Sequence, residues 1–156
     1  MRKLSLILCV LASGCMLGNQ NSATRLTDTV QEFDKATRWG QVAEASRMTD
    51  ATYRDVFIAN HAAWGQQIKL GDSEVVNMEI AQGGETATSI MQYQWYLNSA
   101  MSLHQTVVRQ RWTRTQDNGF ALISEAVVQG DPRLFASNPA ALPEPPVSEV
   151  TLLSPQ

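Results

Sequence analysis

Residues 103–129, LHQTVVRQRWTRT-QDNG-FALISEAVVQ, decide the fold of this chain. The segment from Leu103 to Thr115 is rich in Thr, Val and Trp, which are residues that favour strands. Gln116-Asp117-Asn118-Gly119 predicts a hairpin turn, because Asn and Gly tolerate the positive φ angles that such a turn needs. Phe120 to Gln129 then returns as a strand. The stretch therefore predicts two long antiparallel strands that end the domain.

Two further strands are predicted before this hairpin, because apolar residues recur there with a period of two. Glu74 to Gln82 alternates, with Val76, Met78 and Ile80 on one side. After a turn at Gly83-Gly84, the strand from Thr86 to Asn98 places six residues on one side: Ala87, Ser89, Met91, Tyr93, Trp95 and Leu97. The links are short, which implies antiparallel pairing, and the long strands predict a curved sheet.

The preceding region has a helical period. A first amphipathic helix, capped by Thr27 or Asp28 and ending near Trp39-Gly40, carries Leu26, Val30, Phe33 and Thr37 at three- and four-residue spacing. Two more helical segments are predicted from Gln41 to Met48 and from Thr52 to Gln67. The fold class that follows is α+β, with N-terminal helices packed on a curved antiparallel sheet.

The first fifteen residues have the three parts of a bacterial export signal. Arg2 and Lys3 precede an apolar run from Leu4 to Leu11, which is shorter than the roughly 20 residues that span a bilayer. Ala12-Ser13-Gly14 before Cys15 resembles the lipobox of bacterial lipoproteins, although the family usually has Leu where this chain has Ala12. The resemblance implies cleavage after residue 14 and attachment of diacylglycerol and an N-acyl chain to Cys15.

An ordinary secretory cleavage remains the alternative, because Ala12-Ser13-Gly14 also fits the small-x-small pattern and would release a soluble protein. The cysteine count favours lipidation. Only Cys9 and Cys15 are present, so an unlipidated mature chain would carry a lone thiol in an oxidising compartment. Met16 is not aspartate, which by resemblance to Gram-negative lipoprotein sorting favours the outer membrane, facing the periplasm. The predicted location is the bacterial cell envelope.

Composition divides the chain into four parts. Residues 1–14 are the signal peptide, 15–23 a lipid-anchored tether rich in Asn, Gln, Ser and Gly, and 24–131 the folded domain. All six prolines lie at or after position 132, so 132–156 is predicted to be a disordered proline-rich tail. The net charge of -3 excludes a general attraction to nucleic acid or to anionic lipid, so the membrane partner is reached through the anchor.

Several stretches resemble the NTF2-like (SnoaL-like) family. Phe33-Asp34-Lys35-Ala36 with Gly40-Gln41-Val42-Ala43 resembles its first helix and the break that follows. Val107 to Arg114, followed by Asn118 to Leu122, resembles its final hairpin. The resemblance covers about Thr27 to Gln129 and implies a cone-shaped fold with a cavity. It carries no catalytic signature, and a fold alone does not fix a function.

A cavity of this kind would be lined by aromatic side chains with polar tips. The candidates for ligand binding are Tyr53, Trp64, Tyr93, Trp95 and Trp112, together with Arg109. For each aromatic residue alone, core packing is the favoured interpretation. Arg109 and Arg111 share a strand face opposite Arg114, and a solvated face is favoured there over an anion site, with Glu125 as one cross-strand partner.

No catalytic residue, metal site or cofactor is assigned. His61 and His104 lack neighbours at ligand spacing. The strand carboxylates Glu79 and Glu125 fall on the alternate phase from the larger apolar residues, so both are expected on a solvent face, although Val127 weakly opposes this for Glu125.

The leading hypothesis is a non-enzymatic envelope lipoprotein whose domain binds a protein partner or a small apolar ligand. An isomerase- or dehydratase-like enzyme is the second hypothesis. It predicts an inward carboxylate, or a histidine with a perturbed pKa. A homodimer that acts as a structural adaptor through the exposed sheet face is the third.

Overall fold

A computed structural model describes residues 21–100 and 102–143. The predicted signal peptide, the predicted lipidation site Cys15, most of the predicted tether and the last thirteen residues lie outside this part. No helix in the described part is long and apolar enough to cross a membrane.

Three helices precede four strands, which confirms the predicted α+β class. The helices are α1 (Ser22–Arg38), α2 (Val42–Ala45) and α3 (Arg54–Asn60), with a 3₁₀ turn at Ser46–Met48 between the last two. The strands are β1 (Ile68–Ile80), β2 (Thr86–Leu97), β3 (Leu103–Arg114) and β4 (Phe120–Gly130). They form one antiparallel sheet in the order β1-β2-β3-β4, which is curled but not closed.

Helix α1 begins before the predicted cap. The side chain of Asn21 accepts a hydrogen bond from the Thr24 amide at 2.9 Å and so satisfies one of the free donors of the first turn. Ser22 and Ala23, assigned to the tether from composition, are therefore helical. The buried residues of α1 include the four predicted on its amphipathic face, together with Ala36: Leu26, Val30, Phe33, Ala36 and Thr37.

The third helix is shorter than predicted. It ends at Asn60, and turns carry the chain to a bridge between Trp64 and Ile68. Gly65 has a φ of +76° in this segment and lies against Gly40, whose φ is +67°. Because the two backbones touch without side chains between them, the α1–α2 corner packs directly on the start of the sheet.

The core lies between the helices and the concave face of the sheet. The six residues predicted on one side of β2 are all buried there. The ring of Phe33 from α1 meets Trp112 of β3 edge-on, with centroids 5.5 Å apart. Full burial of one large apolar side chain stabilises the fold by roughly 1.5–3 kcal/mol.

Two β-bulges change the predicted faces. In β1 the pairing shifts between Val75 and Asn77, so Val76 turns outward and is 56% exposed, whereas Val75 packs on the core. In β4, Ser124 and Leu122 pair with the consecutive β3 residues Arg111 and Trp112, so Ile123 between them has no partner in β3. The phase of β4 is therefore reversed after Ile123.

The chain stays packed beyond the predicted domain boundary at residue 131. Pro132–Phe135 forms a 3₁₀ turn capped by the Asp131 side chain, and Leu134 within it is fully buried. The indole nitrogen of Trp64 donates to the Leu134 carbonyl at 2.7 Å. The prediction of a disordered tail from 132 onward is wrong for these four residues.

Candidate functional site

The residues predicted to line a cavity occupy three different environments. Trp64, Tyr93, Trp95 and Trp112 are almost completely buried, and they pack against other core side chains; the rings of Trp64 and Tyr93, for example, lie 5.5 Å apart. Tyr53 is half-buried beside α3. Arg109 is exposed on the outer face of the sheet and does not join the other five.

Glu125 lies at the centre of a buried polar cluster on the concave face. The reversed phase of β4 turns its side chain inward, where it is 1% exposed, so the expected solvent-face position of Glu125 is wrong. Its Oε1 accepts a hydrogen bond from Gln110 Nε2 at 3.1 Å. The Gln110 amide also accepts from Ser89 at 2.8 Å, and Ser89 in turn accepts from Trp112 at 2.9 Å.

His61 faces Glu125 from the end of α3. Its Nδ1 is 2.8 Å from the Phe57 carbonyl, and since a carbonyl can only accept, Nδ1 carries the proton of the neutral ring. The Nε2 lone pair then faces Oε2 of Glu125 at 3.4 Å. The imidazole stacks on Phe57 with centroids 4.0 Å apart, which fixes its plane.

Burial determines the protonation states of this pair. It raises the pKa of Glu125 to about 8, against the smaller opposing effects of the hydrogen bond from Gln110 and of the neighbouring Tyr53 hydroxyl. It lowers the pKa of His61 to about 3, and the Phe57 carbonyl opposes this only in part. At neutral pH both groups are therefore mostly uncharged, and the shared proton resides on the carboxyl group.

Two tyrosines complete the cluster. Burial, and then the neighbouring Glu125, raise the pKa of Tyr53 and of Tyr93. Gln110 Nε2 lies 3.3 Å from the Tyr93 hydroxyl. The Tyr53 hydroxyl faces Glu125 and Asn60. Neither this hydroxyl nor the facing atoms Nε2 of His61 and Oε2 of Glu125 make a hydrogen bond of standard geometry. A neutral carboxylic acid beside an imidazole and two phenols is suited to proton transfer.

A surface cleft of about 390 Å³ lies between the last turns of α1 and the start of β1. We call it the Trp39 cleft, because the side chain of Trp39 stands at its rim and is 73% exposed. Its lining residues are Asp34, Lys35, Arg38, Trp39, Leu70 and Gly71. The sequence pattern indicates Trp39 only as the end of a helix. A second cleft, of about 210 Å³, lies near Gln66, Leu97 and Ala140.

The arginines of β3 have separate roles. Arg109 and Arg111 are exposed on the outer face. Arg111 does not pair with Glu125, because that carboxyl group points inward. Arg114 donates to the Gly84 carbonyl at 3.0 Å and to Ser22, which ties the start of α1 to the hairpin turns.

His104 belongs to a structural contact. Its Nδ1 lies 3.2 Å from Asp131 Oδ2, and the same carboxylate holds Arg133 at 2.7 Å. These contacts fix the turn that follows β4. Within 21–100 and 102–143, no three His, Cys, Asp or Glu side chains are grouped to hold a metal ion.

Comparisons with known proteins give few matches. No family model matches the chain, and no curated protein matches it. One similar solved structure is the crystal structure of the intermembrane space region of the chloroplast protein ARC6. It is 11% identical, with a TM-score of 0.46, and the match covers 69% of this chain and 95% of that one.

Proposed function

We propose that this chain is a lipid-anchored module of the bacterial cell envelope, with an NTF2-like domain that binds a protein partner through the Trp39 cleft. The observation that carries the proposal is the exposure of Trp39 at the rim of a cleft. Exposure of a large aromatic side chain to water is unfavourable, and Trp is enriched among the residues that dominate protein–protein binding energy.

The packing of the interior favours a protein partner over a small apolar ligand. The aromatic side chains expected around a ligand fill the concave face themselves. Trp64, Tyr93 and Trp112 contact neighbouring rings and hydrogen-bond partners. A small ligand would have to displace this packing, whereas a partner segment can reach Trp39 without any such cost.

The position of the cleft suits a module anchored through Cys15. The start of α1 lies beside the hairpin turns, where Arg25 donates to the Asp117 carbonyl at 3.4 Å. Trp39 follows the other end of this 17-residue helix, about 25 Å away at 1.5 Å per residue. The tether would therefore join the domain at the end of α1 opposite to the cleft.

Site-specific photocrosslinking in the host envelope tests the proposal. A benzoylphenylalanine at position 39 of the full-length chain is expected to give a discrete crosslinked species. The same residue at position 56 is the control, because Val56 is also exposed but lies on α3. Equal crosslinking from both positions, or none from position 39, would contradict the proposal. Cys15→Ala is expected to move the protein from the membrane fraction to the soluble fraction.

An isomerase- or dehydratase-like enzyme is the second candidate, favoured by the buried cluster of Glu125, His61, Tyr53 and Tyr93. Glu125 would act as the base, so turnover requires its ionised form and access past the half-buried Tyr53. The test is deuterium exchange at carbons beside a carbonyl, in a panel of small ketones. Exchange should rise with pH through about 8 and vanish in Glu125→Gln but not in Glu79→Gln.

Dimerisation through the outer sheet face, the third hypothesis, has support from the charges on that face. Arg109 and Arg111 of β3 are exposed, and Glu74 and Glu79 of β1 are exposed on the same sheet. A two-fold arrangement could bring opposite charges together. Sedimentation equilibrium of the full chain in detergent would detect the dimer, and Arg111→Glu should weaken it.

A further inference from the structure

We infer that the Trp39 cleft binds a short peptide segment in which a carboxylate side chain lies next to a large apolar one. This inference rests on the proposed function, since it specifies the partner of the same site. Three features of the cleft support it: its apolar surface, its charged side chains and the hydrogen bonding of its backbone.

The apolar part of the cleft comes from both of its walls. Trp39 presents its ring from the end of α1, and Leu70 of β1 is half-buried against the core. Gly71, which has no side chain, also lines the cleft. The cleft has a volume of about 390 Å³ and is open to solvent, which leaves room for a large aliphatic or aromatic side chain.

Two of the charged groups around the cleft already have partners. Arg38 lies 3.3 Å from the Asp72 carboxylate. Oδ2 of Asp34 accepts a hydrogen bond from Ser73 at 2.9 Å, and burial raises the pKa of this carboxyl group. The charge of Arg38 is therefore compensated by Asp72, and Asp34 is engaged by Ser73.

Lys35 is the lining charge that remains available. It is exposed in the last turn of α1 and has no ion pair within the described part of the chain. A lysine there also interacts favourably with the helix dipole, and such a role would need no ligand. The Lys35 ammonium group would attract a carboxylate of the peptide, while the exposed Trp39 ring would contact the apolar side chain next to that carboxylate.

The backbone of the cleft favours side-chain docking over the addition of a strand. β1 is an edge strand of the sheet, and edge strands can accept an extended peptide as a further strand. Here the Gly71 carbonyl already accepts a hydrogen bond from Arg38 at 3.1 Å, and the pairing of β1 is irregular between Leu70 and Asp72. Recognition therefore depends on the side chains of the partner.

Selection from a random peptide library displayed on phage is the test. The target is the full-length mature protein in detergent, immobilised through its C-terminus. We expect an enriched consensus with Asp or Glu next to a large apolar residue. Trp39→Ala should weaken binding of the consensus peptide roughly thirtyfold or more, and Lys35→Glu roughly three- to tenfold.

Matched variants separate this inference from the proposed function. Val56→Ala removes side-chain atoms at an exposed position on α3, away from the cleft, and should leave binding unchanged. Selection against the Lys35→Glu protein should yield a basic consensus, which a purely structural lysine would not produce.

Three outcomes overturn the inference. A Trp39-dependent consensus without an acidic residue would contradict it and leave the proposed function intact. Peptides that bind independently of Trp39 would overturn both. A concentration-dependent dimer that Trp39→Ala abolishes would show that a second copy of the chain occupies the cleft.

Discussion

The Nε2 atom of His61 lies 3.4 Å from the Oε2 atom of Glu125, and neither side chain has more than 1% of its surface exposed. The imidazole already donates its Nδ1 proton to the Phe57 carbonyl. Attraction between the two facing atoms therefore requires one further proton, and burial keeps that proton on Glu125. The pair is expected to hold this one proton across neutral pH.

The free energy of unfolding should decrease as the pH rises toward 8. The pKa of Glu125 is raised from 4.5 to about 8 in the folded protein, so its contribution is complete below 4.5 and is lost as pH rises through the folded value. The loss approaches about 1.4 kcal/mol per pH unit. Glu125→Gln should remove this slope, because an amide resembles the protonated acid. Urea denaturation at several pH values measures it.

Glu79→Gln is the matched control for this prediction. Glu79 is also a strand glutamate, but it is exposed on β1. Its replacement should leave the alkaline slope in place. If the stability profile of Glu125→Gln overlaid that of the unmodified protein, the neutral state assigned to Glu125 would be wrong.

Acid should destabilise the protein through His61. Its pKa is lowered from 6.5 to about 3, so its contribution is complete above 6.5 and is lost as pH falls through the folded value. Between about 4.5 and 6.5 the slopes from His61 and Glu125 have opposite signs, and stability should be nearly constant. In NMR titrations the His61 ring should remain neutral at pH 5, and titration near pH 6.5 would contradict its burial.

The contact between Gly40 and Gly65 should tolerate no side chain. A Cβ atom on Gly40 would lie 2.4 Å from the Gly65 Cα, which is a backbone atom that cannot rotate away. Gly40→Ala is therefore expected to lower the free energy of unfolding by more than about 3 kcal/mol, since it adds steric displacement to the strain of a positive φ. Thermal and urea unfolding would measure the loss.

Gly83→Ala separates the two causes of that loss. Gly83 also has a positive φ, of +94°, but a Cβ atom added there would have no other atom within 4 Å. Its replacement should cost only about 1–2 kcal/mol of backbone strain. Equal losses at Gly40 and Gly83 would mean that the close approach of the two glycine backbones is unimportant.

The sequence was sufficient where the apolar period was regular. The alternation in β2 placed all six inward residues correctly, from Ala87 to Leu97, because that strand pairs with β3 without a bulge. The turn at Asn118 was also predicted from its chemistry, and Asn118 does adopt a positive φ of +61°. The α+β class followed from these regular elements.

The sequence failed where one extra residue changed the phase. Phe120 and Leu122 are inward on one phase of β4, but after Ile123 the inward positions are Glu125 and Val127. A bulge depends on how two strands pair, and one strand alone does not specify it. Val127 was the available signal, since an apolar residue in phase with Glu125 opposed a solvent face.

The apolar periodicity also did not predict the cap of α1 or the long-range packing of Leu134. Asn21 stands among polar residues typical of a tether, and its role as the cap of α1 appears only in the contact with Thr24. The concentration of prolines similarly concealed the docking of Leu134, because a single apolar residue in a proline-rich segment does not indicate a core position.

The turn after β4 should be part of the cooperative unit of the domain. Leu134 is completely buried in the main core, and its carbonyl accepts a hydrogen bond from Trp64. Leu134→Ala is expected to lower the free energy of unfolding by about 2–5 kcal/mol, as other core Leu replacements do. Leu142→Ala, at a position that is 47% exposed, should change it by no more than about 0.5 kcal/mol. If Leu134→Ala were as mild as Leu142→Ala in urea denaturation, the Leu134 side chain would not belong to the cooperative core of the domain.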